Sequence, residues 1–183
     1  MTNKKYKLTD DTIEHLGRKL YRIKAVKSFS GVNKGDLGGY VESEENLSHN
    51  GNAWVDGNAK VYGNARVFGD AKIWGDAWVS GDAKVFGNAR VWGDAWVSGG
   101  ARVRGNARIF GNARVDRDAW VYGNAGVSGN AWVEGNARIR GNARVSGDAW
   151  VCRDAKISSG EHTTGHIQHA GQTTELWRVL NEN

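Results

Sequence analysis

Arginine, lysine and tryptophan carry most of the chemistry available to this 183-residue chain, and from Gly51 to Ser158 they recur in fixed slots. Taken eighteen residues apart, they fall into three rows. The first row holds Lys72, Trp74, Arg90, Trp92, Arg108, Phe110 and Arg144; the second holds Trp78, Trp96, Trp132 and Trp150. The third holds Arg66, Lys84, Arg102, Arg104, Trp120, Arg138, Arg140 and Lys156. Guanidinium and ammonium groups make charge-assisted hydrogen bonds to carboxylates and phosphates, and rings interleaved with them can stack on bases. Rows one and three therefore read as a surface for an acidic macromolecule, either a nucleic acid or an acidic protein surface. The second row is a tryptophan ladder flanked by small polar residues. Apolar area of that kind marks an interface, so the expectation for it is self-association into a homo-oligomer.

Acid–base or metal chemistry has far fewer candidates. No histidine falls between His49 and His162. His162, His166 and His169 are spaced H-x₃-H-x₂-H in the tail, with no Cys or carboxylate spacing to complete a zinc set. The single cysteine, Cys152, excludes an internal disulfide and suits a reducing compartment. The sequence predicts a non-enzymatic protein with no metal and no other cofactor. There is no proline, the formal net charge is +5, and no apolar run is long enough to cross a membrane. The start, Met1 to Tyr6, is polar and basic, so the cytoplasm is the expected location and no membrane partner is expected. Within residues 51–158 there are 15 Lys/Arg against 10 Asp/Glu, and the acids concentrate in one slot.

That slot belongs to a phrase of six residues, Gly-Asn/Asp-Ala-x-Val/Ile-x, repeated eighteen times without insertion. Ala and Val/Ile alternate with the two x slots, so in an extended backbone the aliphatic residues face one side and the x residues the other. Gly followed by Asn or Asp supplies a corner, because Gly reaches positive φ freely and Asn or Asp tolerates it. An open antiparallel meander would leave every Ala and Val/Ile of the array on one uncovered face, an extended aggregation surface. Winding three short strands into a closed coil turns them all inward, with each residue above the one eighteen positions on, about 4.8 Å away.

The phrase resembles the hexapeptide-repeat family of left-handed parallel β-helices, as in Val55 followed by Ala59 and Val61 followed by Ala65. The resemblance implies a single-stranded, left-handed, three-sided solenoid of about six regular coils; the handedness comes from it alone. The stretch from Lys7-Leu8-Thr9 to Asn46-Leu47-Ser48 is similar to the start of uncharacterised bacterial and prophage hexapeptide-repeat proteins. That context implies a phage accessory protein, for example one that blocks a host defence nuclease or its nucleic acid. Many hexapeptide solenoids are acyltransferases with a coil histidine and loop excursions, and related carbonic anhydrases use three coil histidines. This chain has neither, so an acyltransferase-like enzyme is the disfavoured alternative; a purely self-assembling structural solenoid is the other.

The all-β reading divides the chain into an N-terminal β cap with a degenerate first coil (1–50), the repeat (51–158) and a tail (159–183). Tyr6 to Leu8, Thr12 to His15 and Lys19 to Ala25 read as strands, with a turn at Leu16-Gly17-Arg18. Thr173 to Leu180 reads as a short helical cap.

Overall fold

The computed structural model describes residues 4–168 and shows an all-β parallel solenoid of about seven turns. Each hexapeptide forms a two-residue strand and a tight corner, and three of them close one coil. Strands eighteen residues apart pair in parallel: Trp96 lies between Trp78 and Arg114, and Val97 between Val79 and Val115. The backbone ladder follows, with Arg102 N–H donating to Ala119 O at 2.9 Å and Arg104 N–H to Val121 O at 3.0 Å.

Three sheets result. Face one runs from Trp54–Val55 to Glu161–His162 in seven strands, and face three from Arg66–Val67 to Lys156–Ile157 in six. Face two has ten strands, because β1 (Tyr6–His15), β2 (Arg18–Ala25) and β3 (Leu37–Val41) extend it above Lys60–Val61. The repeat Ala residues and nearly all Val/Ile side chains have no solvent exposure, so the core is one thin apolar column. Pairing continues past Ser158: Arg144 pairs with Glu161 and Trp150 with His166, which adds a shorter coil. The expected Thr173–Leu180 helix lies outside the described residues, among which one 3₁₀ turn (Glu44–Asn46) is the only helical element.

Corners need the left-handed region. Gly75 and Gly93, stacked one above the other, both sit at φ +73°, and a Cβ on Gly75 would come within 3.0 Å of Gly93 N. Two corners depart from glycine: Arg117 (φ 53°) and Arg153 (φ 55°) hold the same strained geometry.

The first rim is closed as the degenerate coil predicts. β3 pairs with Lys60–Val61, Leu47 bridges to Val67, and the buried Asn46 amide donates to Gly63 O (2.9 Å) and Ala65 O (3.0 Å). Lys5 plugs the open end of the core at 1% exposure, its Nζ donating to Ala53 O at 2.6 Å. Burial lowers its pKa from 10.5 to about 8, with Asp70 opposing and Lys27 adding to the shift. Tyr6, donating to Leu47 O at 2.8 Å, is pushed up by burial and by Glu44. Between about pH 8 and 10 the unfolded chain holds the Lys5 proton and the folded chain does not, so stability rises with pH. Above 10 the unfolded Tyr6 loses a proton that the folded chain keeps, and the trend reverses. Thermal unfolding should show this maximum, and Lys5→Met should remove the rising limb; an unchanged limb in that variant disproves the assignment.

Candidate functional site

The corners decide how the outward charges combine. Asn and Asp side chains stack in ladders between coils, as in Asn58 Nδ2 to Asp76 Oδ1 (3.2 Å) and Asn64 Nδ2 to Asp82 Oδ1 (2.9 Å). The edge between faces one and two carries Asp76, Asp94 and Asp148, and the edge between faces two and three carries Asp82, Asp118 and Asp154. The edge joining faces three and one differs: below Asp70 it reads Asn88, Asn106, Asn124 and Asn142. Asn106 donates to Asn124 at 3.0 Å and Asn124 to Asn142 at 3.2 Å. The two basic faces thus meet across an edge whose corner slots hold amides and no carboxylate from Asn88 to Asn142.

On face three, none of Arg66, Lys84, Arg102, Arg104, Arg138, Arg140 and Lys156 lies within 4.0 Å of a carboxylate among the described residues. The aromatic residues there are already engaged. Trp120 is sandwiched by the guanidinium groups of Arg102 (4.9 Å) and Arg138 (5.4 Å), Arg104 lies over Tyr122 (4.8 Å), and Phe68 stacks on Phe86 (4.7 Å). These contacts hold the long arginine side chains in a fixed row. They also leave Trp120 no open ring face, so this row offers an acidic partner charge and hydrogen bonds, not stacking.

Face one carries a parallel stack, Trp74 on Trp92 at 4.9 Å and Trp92 on Phe110 at 4.5 Å. Lys72 Nζ donates to Ser30 O at 3.1 Å, Arg90 and Arg108 are exposed, and Arg144 pairs with Glu161 at 3.1 Å. Beyond Phe110 the stack stops at a cleft of about 670 Å³ lined by Arg108, Phe110, Gly126, Ser128, Arg144 and neighbours.

Face two is covered more than an isolated tryptophan ladder suggests. His15 of the β1–β2 hairpin packs edge-on against Trp78 at 4.3 Å, and burial with nearby Lys60 keeps its imidazole pKa low. Arg114 interrupts the ladder and lies over Trp96 (5.3 Å). Trp132 Nε1 donates to Asp116 at 3.3 Å and Trp150 Nε1 to Glu134 at 3.0 Å. Trp78, Trp96 and Trp132 are half-buried, whereas Trp150 is 38% exposed and stacks on His166 (4.2 Å).

The eighteen-residue period puts Asp116 and Glu134 on face two without assigning them a role, and Arg117 in a corner slot escaped the sequence reading. Glu134 is buried beside Arg117 (3.3 Å), and burial raises the pKa of Asp116. Cys152 lies 3.1 Å from His166 Nε2, but burial first and Glu134 second push its thiol pKa up, opposite to what a nucleophile needs. His162 faces Ser159 O from face one while His166 belongs to face two, and His169 lies outside the described residues. No group of three or more His, Cys, Asp or Glu is placed to hold a metal among the described residues. Among them, too, no helix is long and apolar enough to cross a membrane.

Stacked parallel coils with one repeated phrase define a β-solenoid repeat protein. The family described as the YdcK beta solenoid repeat matches the chain at residues 59–72, 107–123 and 137–153. No protein with a curated description matches it.

Proposed function

We propose that this solenoid is a non-enzymatic docking scaffold for a nucleic-acid strand, held by faces three and one around their shared edge. The observation that carries the reading is the neutral Asn106–Asn124–Asn142 ladder between two arginine rows. Corner acids border both other edges, so the potential is most positive where the two rows meet. Phosphates would bind Arg102, Arg104, Arg138 and Arg140 on one side and Arg90 and Arg108 on the other, with the amide edge offering neutral donors. An acidic host protein would use the same cations, and a phage accessory role against a host nuclease is the biological setting that the N-terminal resemblance favours. A second copy of the chain would cover Trp150 and the half-buried indoles of face two; a free protein that sediments as a monomer removes that part.

Fluorescence anisotropy of a labelled single strand tests the main claim. Binding should weaken by about 300-fold or more between 50 and 200 mM salt if some six or more phosphates of the single strand are neutralised. No binding at low salt, or binding indifferent to salt, overturns it.

A further inference from the structure

Gly126 is a glycine without a backbone reason. The corner glycines sit at positive φ with a neighbouring coil against them, as Gly111 does at φ +70°. Gly126 lies in mid-strand, outside the positive-φ region, and a Cβ there would meet nothing within 4 Å. The equivalent slot of the other seventeen hexapeptides holds Trp, Lys or Arg. Glycine in a strand weakens it, so nothing in the packing accounts for this choice. Its one effect is to empty the space between Arg108 and Arg144, which pair with it on either side.

The adjoining slot changes in the same coil. The column of Trp74, Trp92 and Phe110 continues as Ser128 and Ser146. One face of the Phe110 ring is covered by Trp92, with the planes 3° apart, while the other looks into the cleft. A planar ring seated over Ser128 would extend the stack by one rung, about 4.8 Å along the axis. Two guanidinium groups bracket the gap left by Gly126, separated by two rungs, or about 10 Å. Long side chains can close that distance on a phosphate. Glu161 competes for Arg144, but that pair is exposed on both sides and weak.

We infer that the Gly126 notch takes one nucleotide of a bound single strand, with the base stacked on Phe110 and a phosphate held between Arg108 and Arg144. This rests on the strand-binding reading above and adds a position to it. Trp120 carries a guanidinium group on each face and Trp92 a ring on each face, whereas Phe110 is stacked on one side only and opens on the other into a cleft with an arginine at either end.

The test uses the full chain, a short thymine strand carrying one 2-aminopurine, and the variant Ser128→Trp. That substitution places an indole where the base would sit and leaves every charge in place; coils with Trp74 and Trp92 in the same column show that the slot accepts one. Wild type should quench the 2-aminopurine emission. Ser128→Trp should lose the quenching and bind about tenfold more weakly, within the range of one base–aromatic stack, with an unchanged melting temperature. Phe110→Ser should give the same loss by removing the platform. Equal affinity and equal quenching in wild type and Ser128→Trp overturn the notch while leaving the docking surface intact. A wild type that binds no strand overturns both.

Discussion

Reversing four charges at once, Arg102, Arg104, Arg138 and Arg140 to Glu, is expected to abolish strand binding, with a loss of at least about a hundredfold at low salt. Three of these side chains are exposed and Arg104 is half-buried, and none has a carboxylate partner among the described residues. The change therefore removes four phosphate contacts and adds four repulsions without breaking an ion pair. It does remove the arginines that sandwich Trp120 and cover Tyr122, at roughly 0.5–1 kcal/mol for each such contact. Stability should fall modestly and the circular dichroism spectrum should not change. The companion variant carrying Lys at the same four positions keeps the charge and loses the planar fork, so it should bind within several-fold of wild type. If the Glu variant binds as tightly as wild type, phosphates do not meet face three.

The same positions show what could be read from the chain alone. Strict recurrence of Ala and Val/Ile fixed the inward face, and the corner glycines fixed the turn, so the parallel coils and the pairing of residues eighteen apart were legible. So was the first coil, since Leu37–Val41 and Leu47 both carry its aliphatic rhythm. The coil beyond Ser158 was not, because Glu161–His162 and His166–Ile167 join the sheets at shorter spacing and without the phrase. Among site residues, periodicity placed each side chain on its face and named its neighbours within a column, but not its partners across columns. Arg102 and Arg138 stand eighteen residues either side of Trp120 in the sequence, and the structure adds that both guanidinium groups lie over its ring. Trp132 and Trp150 read as bare indoles until Asp116 and Glu134 are seen accepting from them. The neutral edge was available in the sequence, in the corner slots rather than the outward ones. Sorting Asn106, Asn124 and Asn142 by coil, as the arginines were sorted, separates it from the two acidic edges.

Placing a carboxylate in the column is the harshest test of the architecture. Val103 has no solvent exposure and lies between Val85 and Val121 in the middle of the stack. Val103→Asp would bury a charge with no partner, and the desolvation cost of several kcal/mol adds to the lost apolar burial of about 1.5–3 kcal/mol. A solenoid coil touches only its two neighbours, so damage at one coil breaks the array there instead of being shared across a globular core. Loss of the cooperative melt is expected, with hydrogen exchange rising first in the coils that flank position 103. The capped first coils, held by Lys5, Tyr6 and Asn46, should stay protected longest. Val103→Ile is the control: Ile73, Ile109, Ile139 and Ile157 occupy the same slot in other coils, so it should cost under about 1.5 kcal/mol. Should the Asp variant melt like wild type, Val103 would have to face water, and the inward column on which every face assignment depends would be wrong.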